Sequence, residues 1–138
     1  MRAIPVKLRR LVLRRAAGRC EYCQLSQQGQ EATFHIDHII PVAAGGQTIA
    51  ENLALACVSC SLRKAARQTA KDPDTDREVS LFNPRRERWQ AHFRWEGVFA
   101  VGRTEVGRAI IAVLDLNRPV IRAIREEEAV RGRHPPPE

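Results

Sequence analysis

The chain has 138 residues, 43% of them apolar. That is enough to bury one core and excludes wholesale disorder, and no apolar run approaches the length of a membrane span. Formal net charge is +7, and residues 1–19 account for it: Arg2, Lys7, Arg9, Arg10, Arg14, Arg15 and Arg19 stand there without an acid, while the remainder balances. A basic leading segment on a neutral body suits a polyanion, DNA or RNA. Its arginines also interrupt any apolar centre of an export signal, so the cytoplasm is the expected compartment.

Ile4, Leu8, Leu11, Val12 and Ala16 recur at helical spacing and predict an amphipathic helix over 5–17, with Pro5 in its first turn and Gly18 at its end. Residues 24–31 are polar loop. The stretch 32–41 reads as β-structure through Phe34, Ile36, Ile39 and Ile40, closed by Pro41, and Gly45-Gly46 requires a loop. A helical turn is expected over 49–54 and a basic helix from Ser59 to about Gln68. A turn follows at 72–76, then a short strand at 79–82, and a hairpin over 90–101 about Glu96-Gly97. Thr104 can cap a helix running to Leu116, and Pro119 opens a last helix to about Val130. One domain over 1–130 is expected, with a finger at 19–68 and an extension at 78–130. The proline-rich tail 131–138 is expected to be disordered.

Four cysteines fall in two C-x-x-C knuckles, Cys20/Cys23 and Cys57/Cys60. In a cytoplasmic chain this suits a structural zinc with four thiolates and no open position, rather than disulfides. The 33 residues between the knuckles hold His35-Ile36-Asp37-His38. A carboxylate there suits a hard divalent cation, and a neutral imidazole suits a general base near neutral pH. His35 is an extra ligand, a phosphate contact or a surface histidine. Arg63, Lys64 and Arg67 on the following helix, and Arg9, Arg10 and Arg14 on the first, are phosphate contacts or solvated faces.

The order C-x-x-C, Asp37-His38-Ile39-Ile40-Pro41, Gly45-Gly46, Asn52-Leu53, C-x-x-C and a basic helix resembles the HNH endonuclease family. The resemblance implies an α+β fold: a ββα-metal finger stapled by a four-cysteine zinc, here with an N-terminal helix and a C-terminal hairpin and helices. It places the two strands of its β-ribbon around 32–41, with a bend turning both Asp37 and His38 into the site. It implies hydrolysis of nucleic-acid phosphodiester bonds, with Asp37 on a catalytic Mg²⁺ or Mn²⁺, His38 as general base and Asn52 holding the loop that orients the base. The family usually carries Asn or His after the last cysteine as second metal ligand, and this chain carries the shorter Ser61. That departure defines the first alternative, a zinc-containing DNA-binding module without cleavage. The second is a scaffold for protein interaction.

Overall fold

The structure, a computed structural model, describes residues 3–138 and divides into two compact units. The first runs to Gln68 and includes Asn83–Arg86; the second comprises Thr69–Phe82 and Glu87–Glu138.

In the first unit, α1 (Val6–Arg15) buries only Val12 completely, and its cationic side chains Lys7, Arg9, Arg10 and Arg14 are exposed. After α1 the chain turns through Ala17 and Gly18, both at positive φ, into the first cysteine knuckle. The knuckle is closed by Cys20 N–H donating to Leu25 O at 2.9 Å. Strand β1 (His35–His38) pairs antiparallel with β2 (Leu53–Ala56), His35 opposite Ala56 and His38 opposite Leu53. Helix α2 (Val58–Lys64) follows at once, with Cys57 as its N-cap accepting from Cys60 N–H.

This corrects the expected ribbon. Only one of its strands lies in 32–41; its partner is Leu-Ala-Leu-Ala, where the sequence predicts the end of a helical turn and the approach to the second knuckle. All four residues of β2 are buried, so the strand lacks the polar–apolar alternation that marks a half-exposed one. The predicted turn exists just upstream, as a single 3₁₀ turn at Ala50–Asn52. The outer edge of β2 is covered by Glu21 and Arg15. Glu21 N–H donates to Leu55 O at 2.8 Å, Glu21 Oε2 accepts from Leu55 N–H at 2.8 Å, and an Arg15 guanidinium nitrogen donates to Leu53 O. Arg85 pairs with Glu21 in turn, and burial together with the nearby Arg15 pushes its guanidinium down to about 10.

The second unit is built on two hairpins and three helices. Strand β3 (Thr69–Lys71) pairs with β4 (Glu78–Ser80) around Asp72, a buried carboxylate gripped by the Arg108 fork at 3.0 and 2.9 Å. The short α3 (Trp89–His92) leads into β5 (Phe93–Glu96), which pairs with β6 (Phe99–Gly102) around the expected Glu96-Gly97 turn. Trp89 stacks on both Phe93 and Trp95, and Phe82 meets Phe93 edge-on; Phe82, Trp89 and Phe93 are buried in the core of this unit. Helix α4 (Glu105–Val113) starts at Thr104, whose hydroxyl accepts from Gly107 N–H at 3.1 Å, and α5 (Pro119–Val130) starts at its proline. Two residues after Val130 make specific contacts. Arg133 forms an ion pair with Glu128, and His134 Nε2 donates to Gly97 O at 2.8 Å while standing edge-on to Trp95. No helix among the described residues is long and apolar enough to cross a membrane.

Candidate active site and metal centre

Two knuckles, one before β1 and one directly after β2, bring Cys20, Cys23, Cys57 and Cys60 together, all buried, their sulfurs within 4.8 Å of one another. The backbone N–H groups of Cys23 and Cys60 each point at the first sulfur of their own knuckle, at 3.4 Å. Such a set holds zinc well: with Zn–S bonds of about 2.3 Å a tetrahedral ion sets its sulfurs about 3.8 Å apart, and Cys23 Sγ lies 3.7 Å from Cys57 Sγ. Hydrogen bonds from its neighbours hold Cys57 far below the usual thiol range, while burial raises Cys20 and the shared bonds raise Cys60. A zinc ion would be held by all four as thiolates.

Beside this centre lies a cleft of about 690 Å³, lined by His35, Asp37 and His38 of β1, Ser61 of α2, Ala65, Pro41 and Arg9 of α1. Five residues singled out from the sequence therefore meet on one surface. The pairing of β1 continues without an extra residue from His35 to His38, so the expected bend is absent.

His38 is half-buried, and its Nε2 lies 2.9 Å from Thr48 Oγ1. Thr48 comes from the loop after β1, and Asn52 holds that loop. Asn52 Oδ1 accepts from Ile40 N–H at 2.8 Å, and its Nδ2 donates to Ile40 O at 3.1 Å and Gln47 O at 2.9 Å. The two glycines serve the same loop. Gly45 takes φ +89°, and a Cβ on Gly46 would lie 1.7 Å from Ile40 O. A chain of contacts thus runs from buried Asn52 through the loop to Thr48 and the His38 ring, fixing which ring nitrogen meets the hydroxyl.

Asp37 is buried. Its Oδ2 accepts from the Tyr22 hydroxyl at 2.7 Å, and Lys64 Nζ stands 3.3 Å from Oδ1 and 3.1 Å from Oδ2. Burial raises the carboxyl above its ordinary value, against Lys64 and Tyr22, which favour the charged form. Burial, and then the Asp37 charge, push the Tyr22 phenol well up, so it remains a donor. His35 Nδ1 and Ser61 Oγ lie 2.9 Å apart at the rim of the cleft.

Lys64 is the clearest correction. Grouped by sequence with Arg63 and Arg67 as a phosphate contact, it is 1% exposed and points into the finger. It lies four residues after Cys60, on the helix face that carries the cysteine inward, whereas Arg63 and Arg67 are exposed. Neither of those arginines lines the cleft, nor do Arg10 and Arg14, which are exposed on α1. Sequence reasoning missed Tyr22 and Thr48. Tyr22 stands between the knuckle cysteines and is fully buried; Thr48 carries no signal apart from the loop that brings it back.

The HNH endonuclease family model matches residues 20–67, from the first knuckle cysteine to the end of the basic segment, about a third of the chain. The match spans both knuckles, β1, the glycine loop, Asn52 and α2, so the finger carries the family's pattern. No curated protein matches the chain.

Proposed function

We propose that the finger is a metal-dependent endonuclease that hydrolyses phosphodiester bonds of DNA, with RNA as the alternative substrate, and that His38 is its general base. The observation that supports this most is the convergence of His38, Asp37, Ser61 and Arg9 on one cleft beside the cysteine centre. Zinc, held by the four thiolates, serves the fold. Asp37 and Ser61 are the residues that would hold a divalent Mg²⁺ or Mn²⁺. The oxygens of Asp37 already face a cation, and an all-oxygen donor set suits a hard ion. When bound, such an ion stabilises negative charge on the phosphate and on the leaving oxygen. His38 takes the proton of the attacking water, its ring held by Thr48. Arg9 offers a cation to the phosphates at the mouth of the cleft, and Asn52 keeps the loop that carries Thr48 in place.

A second reading is a zinc-containing module that binds nucleic acid without cutting it. It is favoured by the partners already present, Lys64 on Asp37 and His35 on Ser61. Plasmid DNA and a structured RNA incubated with the protein and Mg²⁺ or Mn²⁺ separate the two. The nuclease reading expects cleavage that His38→Ala lowers by roughly 10²–10⁴-fold, with zinc content and melting temperature nearly unchanged. Gel-shift binding without cleavage in either metal supports the second reading. Cleavage at full rate by His38→Ala refutes the mechanism.

A further inference from the structure

We propose that Lys64 is the standing cation of the Asp37 carboxylate, and that a divalent ion reaches Asp37 by displacing the Lys64 ammonium. This rests on reading the cleft as the site of a metal-dependent nuclease. Lys64 Nζ sits among four oxygens: both carboxylate oxygens of Asp37, His38 O at 3.2 Å and Ile39 O at 3.1 Å. An ammonium has three protons to give, so this cage saturates it. The ligands are a carboxylate and strand-end carbonyls, the chemistry that also binds hard divalent ions. The tether is specific. Cys60 lies one helical turn before Lys64 on the same face, so the second knuckle that would be fixed by zinc also aims the ammonium at β1.

Two cations cannot share one buried carboxylate at these separations without strong repulsion. The other carboxylates do not relieve it: Glu21 is engaged by Arg85, and Glu51 is exposed on the 3₁₀ turn before β2. Lys64 must therefore withdraw when an ion binds. It is the last residue of α2, and the backbone already leaves the helix at Ala65 with φ +47°, so withdrawal breaks no continuing helical ladder. The strength of divalent binding is then set by the exchange of one cation for another, and Lys64 acts as a positioning residue whose absence tightens the ion.

The chain has only three lysines, Lys7, Lys64 and Lys71, which makes lysine acylation read by mass spectrometry a direct test. The zinc-loaded chain is pulsed with an acetylating reagent, with and without Mn²⁺, and bound Mn²⁺ is followed by loss of the free-ion electron paramagnetic resonance signal. Without Mn²⁺, exposed Lys7 and Lys71 react and Lys64 is protected. With Mn²⁺ bound, Lys64 gains reactivity by about tenfold or more relative to the other two. Mn²⁺ that binds while Lys64 stays protected overturns the proposal, as does wild-type protein that binds no Mn²⁺. Lys64→Met, checked for zinc content and melting, is expected to bind Mn²⁺ at least about tenfold tighter once the opposing charge is gone; equal or weaker binding by the folded variant counts against it. Removing one partner of a buried pair can unfold a protein, so the wild-type footprint decides without the variant. Plasmid cleavage scored in the same samples keeps the two readings apart. Lys64 exposed by Mn²⁺ without cleavage retires the nuclease and leaves the displacement, whereas cleavage with Lys64 still protected does the reverse.

Discussion

Asn52 commits its whole side chain to backbone. It is buried, and its amide satisfies one N–H and two carbonyls of the loop between β1 and β2. These bonds are part-buried, so truncation removes three of the loop's ties at once rather than merely one. Asn52→Ala is therefore expected to destabilise the protein by about 2–4 kcal/mol, read as a fall in melting temperature, and to lower cleavage by releasing Thr48 from His38. Asn52→Asp is the sharper variant. It keeps the acceptor for Ile40 N–H but turns a carboxylate toward Ile40 O and Gln47 O, so it should be no milder than alanine; a stability equal to wild type would mean that the loop is held by something else. At this scale much is legible in the sequence. The cysteines, Asp37, His38 and Asn52 stand out in the sequence by type and order, and the structure places them in the sulfur cluster, on the cleft and at the loop between β1 and β2. Lys64 does not stand out, since a lysine in a basic run reads as solvated until its helical phase with Cys60 is counted. Thr48 is invisible for another reason: its partner His38 lies across a loop whose path no periodicity describes.

The elements of the finger are too small to stand by themselves. Strands β1 and β2 have four residues each and α2 has seven, lengths at which an isolated hairpin or helix is marginal in water. What joins them is the cysteine cluster, which ties the knuckle before β1 to the knuckle after β2, and a structural zinc contributes on the order of 10 kcal/mol at such a site. Purified protein is expected to carry about one zinc per chain, measured by elemental analysis. Stripping it with a strong chelator, or making Cys60→Ser, should erase slow amide exchange from β1, β2 and α2. Helices α4 and α5 lie in the unit with its own core of Phe82, Phe93, Ile110, Leu114 and Ile121, and should keep theirs. Well-folded finger without zinc, or uniform loss of protection throughout the chain, would contradict this. The same smallness explains what the sequence hides. Helices α1, α4 and α5 and the 93–102 hairpin carry caps, prolines or a turn that mark their ends. Strand β2 has neither alternation nor punctuation, being buried on both faces and flanked directly by a 3₁₀ turn and a cysteine. Its role as the partner of β1 follows only from three-dimensional closure around the cysteines.

Charge belongs to the whole molecule, and here it is unevenly placed. Helix α1 buries one residue and presents Lys7, Arg9, Arg10 and Arg14 to solvent, and only Arg9 of these reaches the cleft. If the cleft receives a phosphodiester, the other cations lie on the same helix, where they can hold flanking phosphates in register without touching the reacting bond. Their contribution is then electrostatic and sequence-independent, and its signature is salt dependence rather than cleavage chemistry. The triple variant Arg9→Gln, Arg10→Gln, Arg14→Gln is expected to flatten the plot of log affinity against log salt by up to about 0.9 for each duplex phosphate that is no longer neutralised. Fluorescence anisotropy measures it, with His38→Ala as background so that the ligand survives. A variant of equal charge change, Arg77→Gln, Arg88→Gln, Arg94→Gln, removes three exposed arginines of the other unit and serves as the control. If net charge alone attracts the polyanion, both triples shift the slope alike. If α1 binds the phosphates, the first flattens it by about 1–3 and the second hardly moves it. Equal small effects from both would remove α1 from the interface and leave the arginines of α2 and the segment after it, Arg63 and Arg67, as the remaining candidates on the finger.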